Sequence, residues 1–248
     1  MKQLLKQIPN FITSLNLVSG TMAVIFAIDG HLIWAGIFIC LAAVLDFLDG
    51  VAARLLKAYS EIGKELDSLA DMVSFGLAPA AILFTLLEFS LFEQNQPIWN
   101  ISAQWHQWLI LFSALLMPVM SALRLARFNV KQSDVTFFLG LPTPSNGLLW
   151  ASLGLMLEIP RYQGILKILY STQSLFLLGI MTSGMLVINL PMFSLKFKNL
   201  SVKENWYRYL FLILAIVFLA VFNVYGLALT ILTYIFLNII FYLLQIRY

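Results

Sequence analysis

The sequence predicts an all-α, polytopic membrane helix bundle of about eight transmembrane helices. Three observations lead there. Of 248 residues, 61% are hydrophobic and 11% are charged, against roughly a quarter charged in soluble domains. Eight apolar runs follow one another, most of them near the roughly 20 residues that a bilayer demands. The lysines and arginines fall almost wholly into alternate loops, as the positive-inside rule requires.

The runs are expected at about 10–28, 32–56, 67–90, 106–129, 144–159, 171–191, 207–224 and 226–246. The first follows Lys2 and Lys6, as a signal peptide would. It ends in Ala27-Ile-Asp29-Gly30 without a small-x-small cleavage site, so it reads as a retained membrane helix. The fifth is short, and Gly147 and Gly154 blur its limits. Only Asn223-Val-Tyr-Gly226 separates the seventh from the eighth. Trp34, Trp99, Trp105, Trp108 and Trp206 lie near predicted span ends, where aromatic belts form. The segment from Phe193 to Asn205 reads either as a strip along the membrane surface or as a plain loop. Cys40 is the single cysteine, so there is no disulfide framework.

With the first residue in the cytoplasm, 13 of the 15 Lys and Arg residues fall on the inner side. Arg161 and Lys167 are the exceptions. Both termini are therefore expected in the cytoplasm. So is the segment that breaks the apolar pattern most sharply: Asp46-Phe-Leu-Asp49-Gly50-Val-Ala-Ala53-Arg54, then eight residues, then Gly63-Lys-Glu-Leu-Asp67-Ser-Leu-Ala-Asp71.

Carboxylates beside a membrane core are costly unless compensated. Asp46 and Asp49 are three apart and Asp67 and Asp71 four apart, so each pair shares a helix face. Two facing helices would bring four oxygen ligands together, a site for a hard divalent cation with room for substrate phosphates. Such a site suits phosphoryl chemistry, and one of the acids can serve as general base. Gly50 and Ala53 permit close approach to the helix, by a substrate or by a neighbouring helix. Arg54 could pair with a carboxylate or a phosphate. Gly63 fits a turn.

The string D-x2-D-G-x2-A-R-x8-G-x3-D-x3-D is the signature of the CDP-alcohol phosphotransferases, and this chain resembles that family over about residues 8–190. Three passages look most like its bacterial integral-membrane phosphatidylserine synthase branch. They are Ile8-Pro9-Asn10 to Asn16, Leu66 to Pro79, and Arg124-Leu-Ala-Arg127-Phe128-Asn129 with Gly140-Leu-Pro142-Thr-Pro144. The resemblance implies a six-helix core domain over 1–192, with a cytoplasmic loop and two further helices over 193–248. It implies transfer of the phosphatidyl group of CDP-diacylglycerol to L-serine, with release of CMP. It also implies two divalent cations, Mg²⁺ or Mn²⁺, on Asp46, Asp49, Asp67 and Asp71, with Asp71 as base.

On the same footing, Asn10, Thr13, Ser14, Gly50, Ala53, Arg54, Ser60 and Gly63 would contact CDP-diacylglycerol. The cell membrane and its lipids are the expected setting, a homodimer the expected assembly, and nucleic acid is not an expected partner. A zwitterionic acceptor needs a cation for its carboxylate. Arg124 and Arg127 are suited to serine carboxylate or lipid phosphate, and equally to plain positive-inside anchoring. Ser68 and Ser74 are further pocket residues or local helix bonds. Two other readings stay open. One is a sibling enzyme acting on glycerol-3-phosphate or inositol phosphate, with Arg124, Arg127 and Lys131 as its basic pocket. The other is a divalent cation transporter, against which stands the confinement of all four acids to neighbouring helices at one membrane face.

Overall fold

The computed structural model describes residues 7–130, 137–194 and 201–245. Lys2, Lys6, Lys131, Lys196, Lys198 and Arg247 lie outside these. Helix α1 (Gln7–Ile28) buries Thr13, Asn16, Ser19, Gly20, Ala23 and Ala27 along one stripe. Helix α2 (Leu32–Leu55) answers with Leu32, Ala35, Gly36, Ile39, Ala42 and Asp49. Both stripes follow the helical period and are rich in small residues, which lets the backbones approach closely. Gly30, at φ 83°, closes the turn between them.

Helix α3 (Glu61–Asp71) begins at Ser60, whose Oγ accepts from the Gly63 N–H at 2.9 Å. It runs without a break into a π-helical segment (Met72–Leu77) and then α4 (Ala78–Phe92). Pro79 explains the wide turn. It has no N–H and would press on the Phe75 carbonyl in a regular helix. The Ala78 N–H instead reaches Val73 O, five residues back. Ser74, Phe75 and Gly76 are buried at this point, where α1, α6 (Leu116–Val130) and α7 (Thr143–Glu158) pack around it. The preceding helix α5 (Trp105–Phe112) is continuous with α6 through a 3₁₀ turn. Then come α8 (Gln163–Leu169) and α9 (Thr172–Val187), bent by 67° at their junction, and α10 (Val202–Phe222) and α11 (Val224–Leu243).

Each of the eight expected runs holds a helix among the described residues. Among the described residues six helical stretches are long and apolar enough to cross a membrane, and seven if the bent pair forms one span. Helix α7 has 16 residues, short of a full crossing. It is instead enclosed, with Trp150, Ala151, Ser152 and Leu153 buried. The sixth helix ends at Val187, earlier than expected. The chain is extended at Ile188 and approaches Pro191, and the residue before a proline disfavours helix. The seventh and eighth are two helices, separated at Asn223 with φ 51°.

A short antiparallel ribbon was not foreseen. In it β1 (Phe137–Leu139) pairs with β2 (Pro191–Phe193), Phe138 opposite Met192. Phe193 is therefore buried rather than laid along a surface. The last helix grips it at two points: Phe193 N–H donates to Asn238 Oδ1 at 2.8 Å, and Tyr234 Oη donates to Phe193 O at 2.8 Å. Around it Tyr207, Phe211 and Phe241 pack edge-on or tilted. Ala228 and Ile231 of the same helix join the main core.

Candidate metal and substrate site

The last three turns of α2 carry Asp46, Asp49, Gly50, Ala53 and Arg54, and α3 carries Asp67 and Asp71. One carboxylate oxygen from each of Asp46, Asp49 and Asp67 lies within 4.8 Å of the others. The Asp46 carboxyl also interacts directly with Asp71. Asp71 is 9% exposed, and its Oδ1 has no hydrogen-bond partner.

None of the four acids has an ion-pair partner among the described residues. Arg54 instead turns its Nε to Gly50 O on its own helix, at 3.0 Å. So many like charges without an ion-pair partner fit a divalent cation held by oxygen ligands.

Helix α1 supports the acids from the side. Thr13 is 3% exposed and donates from Oγ1 to Asp49 Oδ2 at 2.5 Å. Its hydroxyl is thus engaged with an acid, not turned outward. Ser14 bonds to Asn10 O on its own helix at 2.8 Å. Asn10 lies against the start of α3, where a Cβ on Gly63 would sit 2.7 Å from Asn10 Oδ1 and 2.9 Å from Ser60 Oγ. Asn10, Ser60 and Gly63 therefore meet at one spot. A Cβ on Gly50 would meet nothing within 4 Å. Packing within this chain gives no reason for that glycine, and Ala53 beside it is half-buried.

The second group of expected residues divides. Arg124 is half-buried, with its Nη1 3.5 Å from Thr143 Oγ1 and its Nε enclosed without a partner. It lies within electrostatic reach of Asp71. Arg127, three residues on, is exposed and donates to Val187 O at 3.3 Å, so the two arginines do not share a site. Ser68 accepts from Asn129 Nδ2 at 3.0 Å, and Lys64 Nζ reaches Asn129 O at 3.2 Å, which ties α3 to the end of α6. Ser74 donates to Asn16 Oδ1 at 2.7 Å and joins the π segment to α1.

Four polar residues near these were not singled out from the sequence: Asn16, Ser121, Thr143 and Asn146, all at most 1% exposed. Asn16, Ser121 and Asn146 stand as amides and a hydroxyl inside runs expected to be apolar, and Thr143 one residue before such a run. Neutral polar residues are common enough in membrane helices to pass unnoticed.

A sequence model of the CDP-alcohol phosphatidyltransferase family matches residues 6–182. The chain belongs to that family. It is also similar to curated relatives named CDP-diacylglycerol–serine O-phosphatidyltransferase. The Bacillus subtilis protein is 36% identical over 141 residues, which cover 57% of this chain and 71% of the relative. The Methanocaldococcus jannaschii protein is 35% identical over 162 residues, covering 65% and 67%. The Helicobacter pylori protein is 30% identical over 214 residues, covering 86% and 79%. The family match ends before β2, α10 and α11.

Proposed function

We propose that this protein transfers the phosphatidyl group of CDP-diacylglycerol to the hydroxyl of L-serine, giving phosphatidylserine and CMP. The observation that carries the reading is the convergence of Asp46, Asp49 and Asp67, with Asp71 beside them, and no cationic side chain paired to any of them. The names of the similar proteins favour serine as the acceptor.

Asp46, Asp49, Asp67 and Asp71 would hold two divalent cations, Mg²⁺ or Mn²⁺. When bound, these neutralise the pyrophosphate charge and stabilise the leaving phosphate. The unpartnered Oδ1 of Asp71 accepts the proton of the serine hydroxyl. The serine oxygen forms a bond to the phosphorus attached to diacylglycerol, the bond from that phosphorus to the bridging oxygen breaks, and CMP leaves with the electron pair. The open space over Gly50 admits the CDP group, flanked by Ala53 and Arg54 on α2. Asn10, Ser60 and Gly63 border it from the start of α3, and Thr13 holds Asp49 in place. Arg124 provides the cation for the acceptor. The site faces the cytoplasm, where CDP-linked substrates are made, in a multi-pass protein of the cell membrane that works as a homodimer.

The test is CMP release by the purified protein in detergent with CDP-diacylglycerol and Mn²⁺ or Mg²⁺. Serine, glycerol-3-phosphate and inositol phosphate are compared as acceptors, for the wild type and Asp71→Asn. Serine-dependent release that is lost in the variant is the expected result. Release with a phosphorylated acceptor alone overturns the choice of serine and keeps the chemistry. Absence of release with every acceptor, from folded and metal-binding protein, overturns the enzymatic reading.

A further inference from the structure

Buried polar atoms without a partner are rare in folded chains, and each one calls for a reason. Here several gather around one element. Asp71 Oδ1, Ser121 Oγ, Arg124 Nε, and both Nδ2 and Oδ1 of Asn146 have no hydrogen-bond partner, and Asn146 is 0% exposed. All of them flank the π segment. Asp71 precedes it. Ser121 lies against Gly76, where an added Cβ would come within 2.9 Å of the Ser121 Cβ. Arg124 is one turn beyond Ser121 and touches Thr143. Asn146 is one turn beyond Thr143 on the same face of α7, and the adjacent Gly147 packs on Phe75.

The charges of this group define what it can receive. Arg124 is its one cation and Asp71 its one acid; Ser121, Thr143 and Asn146 are neutral. A phosphorylated acceptor carries close to two negative charges into a buried space and needs several cations there. A zwitterion needs one donor cluster for a carboxylate and acceptors for an ammonium. An asparagine amide presents both a donor and an acceptor, and Asn146 has both unused.

We propose that Asn146 is the residue that selects a zwitterionic amino-acid acceptor: its Oδ1 accepts from the substrate ammonium while Arg124, whose contact Thr143 lies one turn from Asn146, holds the carboxylate. This rests on the serine-transfer reading above and deepens it. Binding gives the buried Oδ1 its partner, whereas an acceptor without the ammonium leaves it stranded. That mismatch is the kind that discriminates strongly between substrates.

The test compares L-serine with 3-hydroxypropionate, which keeps the hydroxyl and carboxylate and lacks the amino group. Each is assayed as acceptor with CDP-diacylglycerol, or as competitive inhibitor of serine if it does not turn over. Wild type is expected to favour serine by about tenfold or more. In Asn146→Leu, and in the smaller polar change Asn146→Ser, that preference falls by about tenfold while KM for CDP-diacylglycerol is kept. A wild type indifferent to the ammonium overturns the proposal with no variant needed. So does a variant that transfers to serine with the wild-type preference intact, since a merely structural asparagine would lower both acceptors alike. A wild type with no serine-dependent CMP release at all removes the underlying reading instead, and is distinguished by that result.

Discussion

Thr13 and Asp49, 36 residues apart and on different helices, share a hydrogen bond of 2.5 Å. The hydroxyl of α1 thereby fixes the orientation of an acid on α2. Outer partners of this kind typically govern metal affinity by about 10- to 100-fold. Thr13→Val should raise the Mn²⁺ concentration needed for half-maximal CMP release by about that factor. Thr13→Ser should restore most of the loss, because it keeps the hydroxyl. Equal metal dependence in the wild type and the valine variant would contradict the role.

The acid cluster should also register in stability without any turnover. Asp46, Asp49 and Asp67 repel one another when no cation lies between them. Asp67→Asn should therefore melt at a higher temperature than wild type in EDTA. Added Mn²⁺ should stabilise wild type by about 2.7 kcal/mol at a hundredfold excess over Kd, and the variant by much less. Thermal melts with and without metal read both effects, and identical metal shifts would argue against this site.

Two glycines should separate packing from substrate space. A Cβ on Gly20 would lie 2.6 Å from the Ser74 Cα, so Gly20→Ala must push α1 off the π segment. A cost of about 1–3 kcal/mol is expected from such overpacking. A Cβ on Gly50 meets nothing within 4 Å, so Gly50→Ala should melt like wild type yet raise KM for CDP-diacylglycerol. If Gly50→Ala instead destabilises the fold with KM unchanged, that glycine serves packing and not the substrate.

The last helix should matter for stability. Asn238 and Tyr234 hold the N–H and carbonyl of Phe193, and Tyr234 is also within electrostatic reach of Arg124. Asn238→Leu should cost about 1–3 kcal/mol through the lost acceptor, read as a lowered melting temperature. An unchanged melt would mean that the ribbon stands without this brace.

The acids were legible in the sequence because charge inside an apolar run has few explanations, and their spacing placed each pair on one helix face. The helices were legible for the same reason of periodicity and length. The support for the acids was not. Nothing local to Thr13 says that it meets Asp49, and nothing local to Asn146 says that it sits one turn from the Arg124–Thr143 contact, since both depend on how distant helices dock. The π segment was missed because Pro79 was read as the end of a motif and not as a cause of helix widening. The ribbon was missed because three residues per strand carry no periodic signal. Arg124 and Arg127 looked equivalent at a spacing of three, yet burial separates them, one toward Asp71 and the other toward Val187.

The groups proposed to hold the nucleotide and metals all occur before residue 72, and the two proposed to choose the acceptor, Arg124 and Asn146, occur after residue 120, with the π segment lying between the two sets. On that proposal, leaving-group chemistry and choice of alcohol are carried on separable stretches of chain. A transplant of 116–158 between sibling enzymes should change which alcohol is used without retuning how the pyrophosphate is broken. A lineage could acquire new headgroups by the same route, keeping its phosphate machinery untouched while it samples new acceptors.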